Sequence, residues 1–107
     1  RFNWVIDPLD GTTNYIQGIP LYAVSIGLLD GEELVLGVVY EVGRDECFYA
    51  WKNGGAYLNG QTIRVSDRRE IHEALLATGF PYNDFSKMES YMIFLEWAMK
   101  NARGVRR

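Results

Sequence analysis

Along most of this chain apolar residues alternate with polar or small ones, the period-two signature of strands, and Gly, Asn and Asp cluster between the runs. Phe2 to Ile6 is a short apolar stretch containing β-branched residues and reads as a buried strand ending at Asp7. Val24, Ile26 and Leu28 alternate with Ser25, Gly27 and Leu29, and the small residues suit a face lying close to a helix or another strand. Asp30-Gly31 is a hairpin signal, after which Leu34, Leu36, Val38 and Tyr40 share one face of the next strand. The sequence GRDE turns that strand into CFYAWK, and tight turns are expected at Asn53 to Gly55 and at Asn59 and Gly60. The period then changes. ALLAT is one more strand, and beyond Pro81 the residues Met88, Tyr91, Met92, Leu95, Ala98, Met99 and Ala102 follow helical spacing. Ser86 and Glu89 make a capping-box pattern, Lys100 and Arg103 suit a helix C-terminus, and Gly104 is a natural terminator. A helix over about 87–102 is predicted, its apolar stripe packed on the sheet, with a further strand starting in GVRR. The fold class expected is α+β, a mainly antiparallel sheet with helices on one face.

The chemistry concentrates in WVIDPLDGTTNY, Trp4 to Tyr15. Pro8 fixes its own φ and pushes Asp7 into extended backbone, so the strand is expected to break into a turn there with Asp7 at its exposed end. Asp10 follows closely enough for its carboxylate to converge with that of Asp7, while the Leu9 carbonyl is left without a regular ladder partner. Two carboxylates and a carbonyl are hard oxygen donors, suited to magnesium, calcium or manganese and not to zinc or copper. A divalent cation would relieve the repulsion between the paired carboxylates. Gly11 permits close approach of backbone to a ligand, and a helix opening at Thr12 through TTNYIQ would present N–H groups to a phosphate. Metal donors beside an anion cradle fit phosphoryl transfer to water, with the Thr12 hydroxyl placed to hold the attacking water.

Competing motifs fail on spacing. Haloacid-dehalogenase-type phosphatases need carboxylates two positions apart in D-x-D-G-T, whereas Asp7 and Asp10 are three apart. An EF-hand loop counted from Asp7 would put Leu9 at its third position and Gly18 at its twelfth, where oxygen ligands are required. No Gly-Lys-Ser/Thr of a Walker-type loop is present. His72 is the single histidine and sits among charged residues, so no Ser-His-Asp or Cys-His arrangement is available to it.

The 107 residues are 48% hydrophobic and 14% aromatic, enough for a globular core, and the net charge of -3 offers no basic field to nucleic acid. No apolar run approaches the roughly 18 residues of a membrane span. Cys47, the only cysteine, reads as a small strand residue, and its lack of a disulfide partner points to a reducing, cytoplasmic setting. The chain begins at Arg1 and runs directly into the acidic motif, and it stops as a new strand begins, so it reads as a segment of a longer protein.

DPLDGTTN behind an apolar strand closely resembles the metal-binding signature of the inositol monophosphatase family, the magnesium-dependent, lithium-sensitive phosphatases. VSIGLL, GVVYEV, NGGAYLNGQTIRVS, LLATGFPY and GVRR resemble the same family in the same order, so that residues 1–107 look like part of its layered αβαβα sandwich. The resemblance implies that Asp7 bridges two magnesium ions, that the Leu9 carbonyl joins the first, and that Asp10 binds the second and touches a substrate hydroxyl. It implies that Gly11 and Thr12 N–H groups hold phosphate and that Thr12 helps orient the nucleophilic water, with direct in-line attack and no covalent phosphoenzyme. The implied substrate is a small phosphorylated polyol or sugar, inositol monophosphate first, and the implied assembly a homodimer, with no nucleic-acid or membrane partner. Fructose-1,6-bisphosphatase, nucleotide or histidinol phosphate phosphatases of the same superfamily, and a non-catalytic partner-binding domain are the alternatives. Tyr15 departs from the family's usual phenylalanine. The family's metal-binding glutamate upstream and its downstream aspartate are absent from this chain, so the isolated segment is expected to be inactive.

Overall fold

The computed structural model describes residues 1–81 and 83–107, in two compact units, Arg1–Val65 and Ser66–Arg107. Tyr82, the last residue of LLATGFPY, lies outside the described residues.

The first unit is a six-stranded antiparallel meander with strands in chain order: β1 (Phe2–Asp10), β2 (Ala23–Asp30), β3 (Glu33–Glu41), β4 (Glu46–Trp51), β5 (Gly55–Leu58) and β6 (Gln61–Ile63). A single short helix, α1 (Thr12–Ile16), interrupts it between β1 and β2. The turns fall where the sequence placed them. Gly31 closes the β2–β3 hairpin at φ 63°, and Asn53 and Asn59 take φ of 62° and 47°, a left-handed conformation that asparagine tolerates better than most side chains. The Asn59 side chain adds a clamp, accepting the Cys47 N–H at 2.7 Å and donating to the Asp45 carbonyl at 3.0 Å, which ties the β3–β4 turn to the β5–β6 turn.

Register shows how the two faces differ. Val5, Gly27, Gly37, Ala50, Ala56 and Ile63 are successive cross-strand partners, so small residues fill the middle of one face and leave a trough of about 690 Å³. On the opposite face Trp4, Leu28, Leu36 and Trp51 are partners in the same way, and the rings of Tyr49, Tyr57 and Trp51 stack nearly parallel with centroids 5.0 to 6.2 Å apart. Such stacking adds about 0.5–1.5 kcal/mol per pair beyond area burial. Both faces stay accessible: Trp4, Val5 and Ile6 are between 56% and 60% exposed.

The second unit pairs β7 (Leu75–Ala77) in parallel with β8 (Gly104–Arg106), joined through α2 (Met88–Asn101), and carries a 3₁₀ turn at Ile71–Glu73. Parallel pairing requires such a crossover. Ala98 on α2 is the one buried apolar residue among those described; Met92 and Met99 of the helical stripe stand 52% and 61% exposed. The expected capping box does not form. Lys87 occupies the N-cap position with no side-chain cap, and the Ser86 N–H donates to Asp84 Oδ1 at 2.9 Å. Asp84 thereby braces the residue before the N-cap and does not cap an amide of the helix itself. The α+β class with a mainly antiparallel sheet is borne out.

Candidate metal and phosphate site

The strand expected to end at Asp7 continues to Asp10. Pro8 is compatible with this because β1 lies at the sheet edge, where a missing N–H and an irregular ladder cost little. Asp7 pairs with Ser25 and Asp10 with Ala23, so three steps along β1 match two along β2. In a regular strand residues three apart point to opposite faces. The bulge absorbs the extra residue, and Asp7 and Asp10 come to the same face, as Ser25 and Ala23 do. What brings Asp7 and Asp10 to one face is therefore a bulge in an edge strand and not a turn after it.

The bulge is held by its own side chains. The Leu9 N–H donates to Asp7 Oδ1 at 3.2 Å, bridging over Pro8. The Leu9 carbonyl, expected to be without a ladder partner, accepts the Thr12 hydroxyl at 2.8 Å. A carbonyl oxygen has a second lone pair, and the hydroxyl keeps its own acceptor capacity, so this bond leaves both groups able to bind further. Asp7, Asp10 and Thr12 are all exposed.

Gly11 is the N-cap of α1 at φ 88° and ψ 33°, a left-handed conformation, and a Cβ placed there would lie 2.8 Å from the Leu21 carbonyl oxygen. Glycine is required on both counts. Behind it Tyr15 donates its N–H to the Gly11 carbonyl at 3.0 Å, while α1, five residues long, leaves the first amides of its turn without carbonyls of their own. The tyrosine that stands at position 15 meets Tyr22 edge to face at 5.1 Å. Asp10, Gly11, Asn14, Leu21, Tyr22 and Glu41 line a cavity of about 320 Å³ at this end of the sheet.

The donors fit a hard divalent cation in kind: two carboxylates from one face of an edge strand and a backbone carbonyl between them. They are few. Among the described residues no group of three or more His, Cys, Asp or Glu side chains is assembled to hold a metal ion. Glu41 reaches the cavity because it pairs with Ala23, which pairs with Asp10, but its carboxylate accepts the N–H groups of Gly43 and Arg44 at 3.2 and 2.6 Å and serves the turn. His72 sits exposed in the 3₁₀ turn, and Cys47 is half-buried in β4. Arg106 donates to the Val105 carbonyl at 2.9 Å, and the Arg107 guanidinium lies 5.1 Å from the centre of the Phe80 ring.

One residue of the motif has a role that its sequence position does not announce. Asn14 donates its side-chain amide to the Leu21 carbonyl at 2.8 Å and accepts the Ile19 N–H on its backbone oxygen at 2.8 Å. Both partners lie in the irregular segment before β2, where no periodic pattern signals pairing.

The sequence profile of the inositol monophosphatase family matches residues 1–107. The chain is 38% identical over 104 residues to the inositol-1-monophosphatase of Rhizobium meliloti, covering 97% of this chain and 39% of that protein. It is 43% identical over 106 residues to Nus factor SuhB of Pseudomonas aeruginosa, covering 97% of this chain and 39% of that protein. Among solved structures, the extragenic suppressor protein suhB from Bartonella henselae superposes with a TM-score of 0.94 at 40% identity, over 100% of this chain and 41% of that one. The chain thus spans less than half the length of each of these proteins.

Proposed function

We propose that this chain, which belongs to the inositol monophosphatase family, carries part of the active site of a magnesium-dependent phosphomonoesterase acting on inositol monophosphate or a related polyol or sugar phosphate. The observation that carries the reading is the bulge that turns Asp7 and Asp10 to one face with the Leu9 carbonyl between them. Those three oxygens are the groups that would hold magnesium. When bound, the ion supplies charge neutralisation of the phosphate and leaving oxygen and lowers the pKa of water. The protein's own share is positional. Asp7 and Asp10 would hold the cation, and Asp10 also lines the cavity where a substrate hydroxyl would sit. Gly11 brings backbone close, so that its N–H and that of Thr12 are offered to the phosphate. Thr12, held to the Leu9 carbonyl by its own proton, keeps its lone pairs for a water aligned with the phosphorus. No nucleophilic side chain is used, and attack by water is direct.

By the same reading the protein is cytoplasmic, inhibited by lithium, homodimeric when complete, and free of nucleic-acid and membrane partners; no helix of the described residues is long and apolar enough to cross a membrane. Substrate choice is tested by phosphate release from inositol monophosphate, fructose 1,6-bisphosphate and an adenosine bisphosphate, with and without magnesium, by a full-length family domain carrying this segment. Fastest magnesium-dependent release from inositol monophosphate is expected. No metal-dependent release from any of them would leave the second reading, a partner-binding domain on this fold, which the Nus factor name of the Pseudomonas relative favours.

A further inference from the structure

We infer that Asn14 is the positioning residue of this site, a role that rests on the phosphatase reading. Asn14 acts by clasping the Leu21 carbonyl and so fixing the Asp10–Thr12 turn over the Asp10–Ala23 pair, where β1 ends and β2 begins. The Leu21 carbonyl is the pivot. It accepts the Asn14 amide at 2.8 Å, and it stands where a Cβ on Gly11 would be only 2.8 Å away, so the same oxygen meets the turn from two directions. The Asn14 backbone oxygen accepts the Ile19 N–H at 2.8 Å, and Leu21 donates its N–H to the Ile19 carbonyl at 2.8 Å, so Ile19 is tied to α1 through its N–H and to Leu21 through its carbonyl. Two residues beyond Leu21, Ala23 begins β2 and pairs with Asp10. The route from Asn14 to Asp10 is therefore a short closed ring of backbone: α1, the clasp, the start of β2, and back across the ladder.

The ring matters because, among the described residues, the side-chain hydrogen bonds that tie α1 to its surroundings are this clasp and the Thr12 hydroxyl on the Leu9 carbonyl. The helix has no side-chain cap, and Thr12 spends its hydroxyl proton on the Leu9 carbonyl. A five-residue helix is far below the length at which it is stable alone. Removing the clasp frees the turn to rotate about Gly11, which carries Thr12 away from Leu9 and loosens Asp10 against Ala23. The effect on a bound cation is that of losing an outer-shell partner, about tenfold to a hundredfold in affinity.

Two variants separate positioning from folding. Asn14→Ala removes the amide; Asn14→Asp keeps its shape and sets a carboxylate against the Leu21 carbonyl. Each is compared with wild type in a full-length family domain carrying this segment. Manganese binding is read from the loss of the free-ion spin-resonance signal, protection of the Tyr15 amide by hydrogen exchange, and kcat and KM from phosphate release. Both variants are expected to stay folded by circular dichroism, lose about tenfold in manganese affinity, lose Tyr15 protection, and lower kcat more than they raise KM. Unchanged manganese affinity and unchanged Tyr15 protection in both folded variants would overturn the proposal, as would a lower thermal midpoint with affinity and kcat intact. A wild type that binds no manganese and releases no phosphate would count against the phosphatase reading, and loss of Tyr15 protection in the variants would then still establish the clasp.

Discussion

Thr12 and Gly11 divide the work of the motif between chemistry and backbone. The Thr12 hydroxyl donates to the Leu9 carbonyl, which aims its lone pairs outward and gives it an orienting role that counts mainly in the transition state. In a full-length family domain carrying this segment, Thr12→Ala is expected to lower kcat by about a hundredfold with a much smaller change in KM, the range of a lost general acid–base contact. Steady-state kinetics at saturating magnesium would measure it, and equal losses in both constants would assign the residue to binding. Gly11→Ala tests the backbone. Its φ of 88° and a Cβ 2.8 Å from the Leu21 oxygen impose strain of about 1–3 kcal/mol, so the thermal midpoint should fall even without metal. An unchanged midpoint would mean that the turn can reshape itself around the methyl group.

At the scale of elements, the sequence made the meander legible because alternation, Asp-Gly and Asn-Gly pairs are local signals, and every hairpin formed where they stand. The helix predicted over 87–102 is Met88–Asn101, since helical spacing is equally local. Two features were read in the right place with the wrong device. Pro8 suggested a broken strand, but an edge strand tolerates proline, and the bulge that results depends on the partner strand, which residues 7 to 10 do not reveal. Ser86 and Glu89 suggested a capping box, but the Asp84 carboxylate takes the Ser86 N–H, one residue ahead of the N-cap. That bond from the Ser86 backbone, with a further contribution from its side chain, holds the Asp84 carboxyl below its ordinary pKa. A depressed pKa contributes stability above the unfolded-state value that is lost as pH falls through the folded-state value, so the support given to the start of α2 fades in acid. Asp84→Ala should therefore lower the thermal midpoint more than Ser86→Ala at neutral pH, and the two variants should converge at low pH; a larger loss from Ser86→Ala would restore the capping box. The Asn14 clasp was not legible, because its partner lies seven residues on in a segment without period.

For the molecule as a whole, the ligand count and the open sheet set the limits of what 107 residues do by themselves. Two carboxylates and one carbonyl supply three donors, half of the six-oxygen shell that magnesium requires, and the ion dehydrates reluctantly. The isolated chain is expected to bind magnesium weakly by calorimetry and to release no phosphate from inositol monophosphate at any magnesium concentration. Turnover near that of a full-length family domain would mean that the turn carries more of the catalysis than its oxygens allow. With Trp4, Val5 and Ile6 more than half exposed, the same sample should also self-associate as its concentration rises, read by light scattering. The family assignment was legible because its signature is a contiguous string, DPLDGTTN, whose meaning survives without the rest of the fold. The most direct test of the central claim is magnesium-dependent phosphate release by a full-length family domain carrying this segment, with Asp10 or with Asn at that position. Asp10→Asn removes one ligand charge and almost no volume, so the variant is expected to keep its circular dichroism spectrum and lose at least about a hundredfold in activity. A folded Asp10→Asn variant as active as wild type would place the metal and the chemistry elsewhere.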